Sequence, residues 1–470
     1  MLKVAKFGGT SVGTAESIHK IATIVAADPE IAVVVVSATA GTTNQLQELL
    51  HNLKAGSLDK VKTIFTAIKK RHLDLVHNLS LDKERAAAEV QEVISALEHL
   101  ILSRAGGPTG DYSDSFRDSL LGLGEKLSVL IVAGHLRKQT QKKIHYVRAE
   151  EVIITDDCFG CANPLSSLIQ ENVRTKILPY CMATSGLVIT EGYLGATVDG
   201  ISTTLGRGGS DYTAALLARA LDDLAPEQFQ LQIQLQIWTD VSGIFTADPR
   251  IVPAARPLRQ LSRFVAAELA YWGAKVLHPA TLLPLLDTNV DIWVKNTFAT
   301  EEEGTLIQSK NSTESKVEAI TLRRAQSLVT LSRVKRHDTY GFLAKIFNLL
   351  TSFKISVDHV TTSEISTSFT VYDTSLLDTA VIEKLSELAE VQIENNLCLV
   401  SMIGNNLIEI QDLLGPISKT LALIGQRHNH KYVLRSMYLG AGSNNISFLV
   451  DEKIAETIIL ELHRYYLEKC

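Results

Sequence analysis

The feature that most limits the possible folds of this chain is the regular alternation of strand-like and helix-like segments across residues 1–300. The run IAVVVV (31–36) is aliphatic and rich in β-branched residues, which is typical of a strand buried on both faces. Segments such as AESIHKIATIVAA (15–27) have apolar residues three and four positions apart, which indicates helices. LQIQLQIWTDV (231–241) alternates apolar and polar residues, so it predicts a strand with one more exposed face. The order of these segments predicts an α/β fold with a mostly parallel sheet and helices on both sides.

Length and composition exclude several classes of protein. At ~150 residues per domain, the 470 residues predict two or three domains. The formal net charge of −6 gives no indication of a nucleic acid or an anionic membrane as partner. The longest aliphatic run is IAVVVV, whereas a membrane helix needs about 20 residues, and the start MLKVAKFGG is not typical of a signal peptide. Five cysteines in a chain of this length do not form a disulfide framework, so we expect a cytoplasmic protein without disulfides.

The last part of the chain contains an internal repeat. LVTLS (328–332) is echoed by LCLVS (397–401), and the stretch from Gly341 is echoed by the stretch from Gly415. Each copy has a lysine four residues after the glycine, then an apolar helical stripe and further strand-like segments. We therefore predict two β-helix-β-β modules that bind a ligand rather than catalyse a reaction. A polar stretch at 299–316 separates them from the rest.

A glycine-rich stretch, TTLGRGGSDYTAALLA (203–218), has the composition of a ligand-binding turn. Glycines let backbone N–H groups approach a ligand closely, and the N-terminus of the following helix favours anions. Arg207 is able to hold a carboxylate with two parallel hydrogen bonds. Ser210 and Asp211 are good N-cap residues, so we expect them to open the helix. The alternative is a simple helix entry with a capping serine.

Two further small-residue turns directly follow predicted strands. KFGGTS (6–11) combines Lys6 with two glycines and two hydroxyls, which suits phosphate oxygens, although the spacing is not that of a Walker A loop. SATAGTTNQL (37–46) follows the second strand. Turns at the carboxyl ends of parallel strands meet at one edge of a sheet, so we expect these three turns to form one crevice.

Two polar loops and a cysteine pair remain. WTDVSGIFTADPR (238–250) suits a nucleotide-facing loop with Arg250 near phosphates, and GAKVLHPATLLP (273–284) contains His278, which we interpret as a capping or packing residue. Cys158 and Cys161 form a single CxxC motif without a second pair, so we interpret them as loop cysteines rather than a redox or zinc site.

Taken together and in this order, these motifs resemble the aspartokinase family, over essentially the whole chain. The segment GFLAKIFNLLTSFKISVDHVTTSE (341–364) resembles the first ACT module of the monofunctional, lysine-sensitive type. The resemblance implies a three-layer α/β/α amino acid kinase (carbamate kinase-like) fold followed by two ferredoxin-like α+β ACT modules. We accordingly predict a catalytic domain at 1–300 and ACT modules at 316–392 and 393–470, with interleaving of strands between the modules allowed for. The implied reaction is ATP + L-aspartate → ADP + 4-phospho-L-aspartate.

The resemblance also implies roles for individual residues. Lys6 would neutralise charge on the transferred phosphoryl group, and Asp211 would hold Lys6 in place. Residues implied for L-aspartate are Thr43, Glu125 (on the α-ammonium), Arg207 (on the α-carboxylate), Gly208, Gly209 and Ser210. Residues implied for ATP are Lys6, Gly8, Gly9, Thr239, Asp240, Phe245, Arg250, Lys275 and Val276. Mg²⁺ would be held mainly by the nucleotide phosphates, so no protein ligand to a metal is named.

The implied effector is L-lysine, bound by the first ACT module. The matching residues are Arg336, Thr339, Phe342, Leu343, Ser356, Val357, Asp358, Ser363 and Glu364. Three positions depart from the family pattern: Phe245 stands where related enzymes have Tyr, Arg336 replaces Met, and Thr339 replaces Ser. Loss of the tyrosine hydroxyl removes one contact to ATP, and the Arg336 cation opposes the ammonium groups of lysine.

Two other functions compete with this interpretation. One is a kinase of the same superfamily that acts on glutamate, N-acetylglutamate or a nucleoside monophosphate, against which the ACT pair and Arg207 argue. The other is an inactive amino-acid sensor, against which the presence of Lys6, Glu125, Arg207 and Asp211 argues. Because ACT modules commonly pair between subunits, we expect at least a homodimer, with neither nucleic acid nor membrane as partner.

Overall fold

The chain forms two compact units, each with its own core. The computed structural model describes residues 1–81, 85–104, 112–183, 185–225, 232–273, 277–309, 314–332, 341–372, 374–428, 433–439 and 444–468. The first unit comprises Met1–Ile244, Pro257–Ala267 and Lys275–Asn311. The second unit comprises Phe245–Arg256, Glu268–Ala274 and Ser312–Cys470.

The first unit is built from strands and helices in alternation. Its strands are β1 (Leu2–Phe7), β2 (Ile31–Val36), β3 (Lys143–Tyr146), β4 (Ile154–Thr155), β5 (Gly186–Glu191), β6 (Leu194–Thr197), β7 (Ser202–Thr204), β8 (Ile233–Thr239), β9 (Gln260–Ser262), β10 (Asp291–Asn296) and β11 (Thr305–Gln308). Its helices are α1 (Ala15–Ala27), α2 (Thr42–Lys54), α3 (Leu58–Asn78), α4 (Arg85–Leu102), α5 (Asp114–Leu121), α6 (Leu123–Gln139), α7 (Ser166–Lys176), α8 (Leu178–Cys181), α9 (Gly209–Leu224), α10 (Arg263–Tyr271), which continues into the second unit, and α11 (Pro279–Leu282).

Eight of these strands form one sheet in the order β3-β5-β2-β1-β8-β10-β11-β9. All pairings from β3 to β10 are parallel, and only β11 runs antiparallel to its neighbour β10. Strands β4, β6 and β7 form a separate three-stranded sheet. The predicted mostly parallel α/β sheet is therefore confirmed.

The centre of the large sheet is covered on both faces. Every residue of β2 is buried, as its β-branched composition predicts. In helix α6, every residue from Leu123 to Leu136 except Lys126 is buried. Within the described residues, the stretch Asp114–Gln139 has the length and hydropathy of a membrane span, but 89% of its most apolar window is buried inside the protein. We therefore interpret it as a core element of the first unit.

The expectation of an exposed face on the strand within 231–241 is wrong. β8 lies between β1 and β10 in the middle of the sheet, and Gln236 is only 5% exposed. The side chains of alternate residues satisfy one another: the Gln236 amide donates to Gln234 Oε1 (3.1 Å), and Gln236 Oε1 accepts from Trp238 Nε1 (3.0 Å). Because buried polar groups need partners but not water, this row of side chains makes the alternating pattern compatible with a central strand.

The second unit contains one six-stranded antiparallel sheet. Its strands are β12 (Lys316–Ser332), β13 (Val360–Thr362), β14 (Ser366–Val371), β15 (Glu390–Asn405), β16 (Ser436–Leu439) and β17 (Asn445–Asp451). Its helices are α12 (Phe342–Ser352), α13 (Thr379–Ser386), α14 (Gly415–His428) and α15 (Glu452–Tyr466). The strand order is β13-β14-β12-β15-β17-β16.

The two long strands β12 and β15 each contribute to both modules. The beginning of β12 pairs with the end of β15, and the end of β12 pairs with β14 and with the beginning of β15. The register shifts in the middle, where Ala325 (φ 56°) and Asn396 (φ 59°) adopt left-handed backbone. The first segment of the tail therefore pairs next to the second repeat, so the strands of the two modules interleave.

Each module also has a second helix that the repeat pattern did not reveal. α12 and α13 pack in one core cluster, and α15 belongs to the other. The repeat alignment ends at the last strand of each copy, whereas α13 and α15 follow that strand and bury apolar side chains such as Leu385 and Ile458. Because β12 and β15 are shared, each module has four strands of the six-stranded sheet, and two helices cover one face of these strands. The modules are therefore larger than the predicted β-helix-β-β unit.

Two short segments within the range predicted for the catalytic domain belong to the second unit. Ala247 and Val252 are part of its larger core cluster. Trp272 packs its ring against His359 (centroids 4.7 Å apart) and Tyr438 (6.4 Å), and its carbonyl accepts from Thr321 Oγ1 (2.9 Å). The apolar and aromatic side chains of these segments are therefore covered by residues far along the chain.

Arg263, at the start of α10, is a buried guanidinium without a carboxylate partner among its hydrogen bonds. It is 1% exposed and donates to the carbonyls of Leu285, Thr288 (2.6 Å) and Val290. Burial lowers its pKa. We predict that Arg263→Met lowers the free energy of unfolding by about 3 kcal/mol or more, because three buried carbonyls lose their donor.

Chemical denaturation of the purified variant measures this change. The exposed Arg259→Met is the matched control and should remain close to the wild type. Equal stability of Arg263→Met and the control would contradict the structural role assigned to Arg263.

Candidate active site

The turns predicted after β1 and β2 lie at the carboxyl edge of four adjacent parallel strands, β5, β2, β1 and β8, whereas the turn at 205–210 follows β7 of the separate three-stranded sheet. Backbone hydrogen bonds connect them: Gly8 donates to the Trp238 carbonyl (3.1 Å), Ala40 to Gly9 (3.0 Å), and Gly192 to Val36 (2.8 Å). The expectation that the three turns form one crevice stays a prediction: the turns after β1 and β2 are hydrogen-bonded to each other, and the third is linked to them through Asp211, which pairs with Lys6. This edge is where open parallel sheets bind ligands.

Lys6 and Asp211 form an ion pair at this edge. The Lys6 ammonium lies 2.5 Å from Asp211 Oδ1, and Lys6 is only 8% exposed although it carries a charge. A Cβ added at Gly8 would lie 3.6 Å from Lys6 Nζ, so the glycine turn and the ammonium are direct neighbours. The structure thus brings together Lys6 and Asp211, which the resemblance had paired. It also places the Lys6 ammonium beside the glycine turn.

The start of α9 differs from the prediction. The N-cap is Gly208 rather than Ser210 or Asp211, which lie within the first turn, and no side chain caps the helix. Gly208 has φ 74°, and a Cβ there would lie 2.4 Å from the Cβ of His278, so only glycine fits. Because capping is left to glycine, the side chains of Ser210 and Asp211 are not used as caps, and the positive end of a long helix points to the site.

Arg207 and His278 lie on either side of this glycine. Arg207 is exposed, and its charge is one reason, after burial, why the pKa of His278 is lowered. His278 Nδ1 accepts a hydrogen bond from Ala280 N (3.3 Å) and caps the short helix α11. The interpretation of His278 as a capping and packing residue is confirmed, and Arg207 keeps its guanidinium at the surface of the site.

Glu125 is a buried carboxyl group in the first turn of α6. It is 4% exposed, and its Oε2 is buried without a hydrogen-bond partner. Burial raises the pKa of Glu125 to about 8, the nearby Glu191 adds to this shift, and Lys6 opposes it. A buried acceptor without a partner is costly unless a ligand supplies the donor, so the position suits an ammonium group.

Glu191 is a second buried carboxyl group, which the sequence analysis did not identify. It ends β5 and accepts hydrogen bonds from the Tyr146 hydroxyl and from Ala149 N (2.8 Å). Burial raises its pKa. An acidic residue at the carboxyl end of a predicted strand, in VITEGY (188–193), is the sequence signal that would have indicated it.

Asp118 is the other carboxylate that was missed, and it is completely buried. In the sequence it resembles a polar position on the surface of a helix. However, Asp118, Leu121 and Glu125 are spaced by three and four residues, which places them on one helical face together with an apolar residue. This spacing was the available signal for burial.

The residues predicted for ATP are divided between the units. Thr239 and Asp240 end β8 in the first unit, and Thr239 Oγ1 lies 3.3 Å from Asp240 Oδ1. Phe245 and Arg250 belong to the second unit, where Arg250 pairs with both oxygens of Asp248. Lys275 and Val276 lie outside the described residues. Thr43, predicted for aspartate, lies in the first turn of α2, next to the turn that follows β2.

The residues predicted for lysine lie around α12 and β13. Phe342 and Leu343 begin α12, Ser356, Val357 and Asp358 lie between α12 and β13, and Ser363 and Glu364 form the turn before β14. Asp358 pairs with Arg323 (3.0 Å), whose guanidinium lies over the Tyr372 ring. The Asp358 carboxylate is therefore paired with a cation of the protein itself. Arg336 and Thr339 lie outside the described residues.

Cys158 and Cys161 are exposed and lie in the loop between β4 and α7. The carboxylate of Asp156 raises the pKa of Cys158, which disfavours the reactive thiolate. Among the described residues, no group of three His, Cys, Asp or Glu side chains is placed to hold a metal ion.

Comparison with known proteins agrees with this arrangement. Residues 1–296 match the amino acid kinase family. The chain is 36% identical to lysine-sensitive aspartokinase 3 of Escherichia coli (strain K12), over 99% of both proteins. Its structure is similar to that of E. coli aspartokinase III in complex with aspartate and ADP (R-state), with a TM-score of 0.84, 34% identity and 100% of both chains covered. The structure of that enzyme with lysine and aspartate (T-state) gives a TM-score of 0.79 with 34% identity and 99% coverage of both chains.

The raised pKa of Glu125 gives a prediction on stability and pH. Its folded-state pKa of about 8 lies above the ordinary value of 4.5, so folding favours the protonated form. The contribution of Glu125 to stability is therefore complete below pH 4.5 and is lost as the pH rises through about 8. We predict that Glu125→Gln, which cannot ionise, gains stability relative to the wild type as the pH rises across this window.

Thermal unfolding at pH 5.5, 7 and 8.5 without ligands measures the difference. The exposed Glu98→Gln is the matched control and should follow the wild-type profile. Parallel pH profiles of Glu125→Gln and the wild type would show that Glu125 is not a buried titrating group.

Proposed function

The chain belongs to the amino acid kinase family and, within it, to the aspartokinases, and from this membership we propose that it phosphorylates the side-chain carboxylate of L-aspartate with ATP. One carboxylate oxygen of aspartate attacks the γ-phosphorus, a new O–P bond forms, and the bond to the β–γ bridging oxygen breaks. The products are 4-phospho-L-aspartate and ADP. The attacking carboxylate is already deprotonated, so the reaction requires positioning and charge neutralisation rather than a strong base.

The observation that carries this proposal is the Lys6–Asp211 pair beside the glycine turn. Lys6 is held at 2.5 Å by Asp211, which limits its movement at the edge of the sheet. We assign Lys6 to the charge on the transferred phosphoryl group and the backbone N–H of Gly9 to its oxygens, whereas the Gly8 N–H, also expected there, already donates to the Trp238 carbonyl (3.1 Å). A Cβ at Gly9 would lie 3.0 Å from the Ala38 carbonyl, so this turn has no room for a side chain. A preorganised cation of this kind favours the transition state because it needs no rearrangement during the reaction.

Aspartate is recognised, in this proposal, by two groups of opposite charge. The fork of Arg207 accepts the α-carboxylate, and the buried Glu125 accepts the α-ammonium. Thr43, Gly208, Gly209 and Ser210 complete the pocket. The unpartnered Glu125 Oε2 supports this assignment, since the ammonium would supply the missing donor.

The assignment of the nucleotide site rests on family membership. The residues proposed for ATP are Thr239, Asp240, Phe245, Arg250, Lys275 and Val276. Mg²⁺ would be held mainly by the ATP phosphates and would neutralise part of their charge.

Lysine is the proposed inhibitor, bound by the first ACT module. The related E. coli enzyme has been solved with lysine and aspartate, and its name describes it as lysine-sensitive. Inhibition requires that lysine binds an inactive conformation more tightly than the active one. We also propose that the chain is a cytoplasmic homodimer or higher homo-oligomer through its ACT modules.

The test of the catalytic proposal is a hydroxamate assay with ATP and aspartate, with glutamate and N-acetylglutamate as alternative substrates. We predict that the protein phosphorylates aspartate but not glutamate or N-acetylglutamate. In Lys6→Ala, which loses a preorganised charge, we predict that kcat falls by about 10²–10³ or more. Lys20→Ala serves as control because the Lys20 side chain, on α1, contacts the Phe298 carbonyl (3.5 Å) and ring. Near wild-type turnover in folded Lys6→Ala would refute the role of Lys6.

The test of regulation is a titration of the same reaction with lysine, threonine and methionine separately. We predict that lysine inhibits and that Glu364→Ala relieves the inhibition while uninhibited turnover is largely kept. Glu364 is the better probe because Asp358 also pairs with Arg323, so its removal disturbs an internal contact. Glu387→Ala, in the same module, is the control. Inhibition by threonine but not lysine would leave the catalytic proposal intact and overturn the effector.

A further inference from the structure

Asp118, in the last turn of α5, is a buried carboxylate to which the proposed mechanism gives no role. It is 0% exposed. Its Oδ2 accepts two backbone hydrogen bonds, from Gly160 N (2.7 Å) and Thr204 N (2.8 Å), and its Oδ1 lies 3.2 Å from Arg117 Nε. Burial of a carboxylate is costly unless hydrogen bonds compensate it. The backbone N–H groups of Gly160 and Thr204 are therefore held toward Asp118.

The two backbone donors belong to segments that hold the glycine-rich turn. Thr204 is the last residue of β7 and lies three residues before Arg207. The Thr204 carbonyl accepts from Ala162 N (3.0 Å), so the loop that contains Gly160 is bonded to the end of β7. A Cβ at Gly206 would lie 3.1 Å from the Gly160 carbonyl, which shows that this loop also packs on the turn itself.

Within the turn, one backbone hydrogen bond spans Arg207, from Gly209 N to the Gly206 carbonyl (3.0 Å). Gly206 (φ 76°) and Gly208 (φ 74°) flank Arg207 on both sides, and glycine has the widest conformational freedom of all residues. Arg207 itself is exposed, so little packing restrains its side chain. The direction of the guanidinium therefore depends on what anchors the backbone before and beside the turn, and Asp118 is the charged group that bonds both segments.

We propose that Asp118 is a positioning residue for substrate recognition: by holding the backbone N–H groups of Thr204 and Gly160, it directs Arg207 toward the α-carboxylate of the amino-acid substrate. The inference rests on the proposed function, because it gives that same site a support for its carboxylate clamp. Asp118 does not contact the substrate in this account. Its effect is transmitted through the backbone of residues 204–207.

The first test is the kinetics of Asp118→Ala with each substrate varied in turn. The variant releases both N–H groups, and displacement of a binding group by about 1 Å costs on the order of a hundredfold. We expect KM for aspartate to rise by about ten- to a hundredfold and KM for ATP to change by less than about twofold. An equal rise in both constants, or an unchanged KM for aspartate, overturns the inference.

Asp114→Ala is the matched control. Asp114 lies on the same helix, is 71% exposed, and also pairs with Arg117 (2.9 Å). The control therefore disturbs Arg117 without touching the two backbone donors, and its KM for aspartate should equal that of the wild type. If Asp114→Ala reproduces the effect of Asp118→Ala, the cause is Arg117 and the inference is overturned.

Asp118→Asn separates the hydrogen bonds from the charge. Both backbone donors bond to a single oxygen, so an amide oxygen in that place keeps both contacts, while the amide NH₂ faces Arg117. Because a neutral acceptor is about half as strong, we expect KM for aspartate to rise only about two- to fivefold. If Asp118→Ala does not fold, this variant carries the test, and an unchanged KM for aspartate overturns the inference.

A double-mutant cycle with Arg207→Lys tests the route of the effect. Arg207→Lys loses the planar fork and should by itself raise KM for aspartate more than KM for ATP. If Asp118 acts by directing this fork, Asp118→Ala should add little to Arg207→Lys, whereas independent roles give multiplying effects and overturn the inference. A wild-type protein without activity on aspartate would overturn the proposed function and with it this inference, whereas an active wild type with failed Asp118 variants overturns only the inference.

Discussion

The arrangement of the first unit depends on the buried ion pair between Lys6 and Asp211. Lys6 is on β1, which has a neighbour on each side in the parallel sheet, and Asp211 is in the first turn of α9. An ammonium at this depth is stable only with a partner, so the pair fixes the start of the helix to the end of the central strand. The first glycine turn directly follows β1, and Arg207 lies two residues before α9, so both adjoin these two elements.

At this edge of the sheet, buried carboxyl groups lie near a cation and the positive end of a helix. Two buried carboxyl groups, Glu125 and Glu191, have raised pKa values because burial disfavours their charged form. Lys6 supplies the opposing positive charge, and the uncapped start of α9 adds a positive helix end. This separation of charges fits the proposed function, in which one region accepts an anionic phosphate and the other an ammonium group.

The second unit combines segments from different parts of the chain. Residues 245–256 and 268–274 precede the tail by many positions, yet their side chains pack with the strands and helices of the ACT modules. Within this unit, the His359 ring contacts the rings of Trp272 (centroids 4.7 Å apart) and Tyr438 (4.9 Å) at tilted angles, and His359 follows Asp358, one of the residues predicted for the effector. Two segments from the range predicted for the catalytic domain are thus part of the second unit, which contains the ACT modules.

The sequence by itself determined the order of strands and helices, the parallel sheet and the residue types at the strand ends, because local periodicity and turn chemistry depend only on neighbouring residues. It also proposed Lys6, Arg207, Asp211 and Glu125 as site residues, through the resemblance to a family. Only the tertiary structure decided that β8 is buried on both faces, that Gly208 rather than Ser210 opens α9, and that each module has a second helix. The same holds for the burial of Asp118 and the raised pKa of Glu125, since both follow from side chains and backbone groups that lie far apart in sequence and meet only after folding.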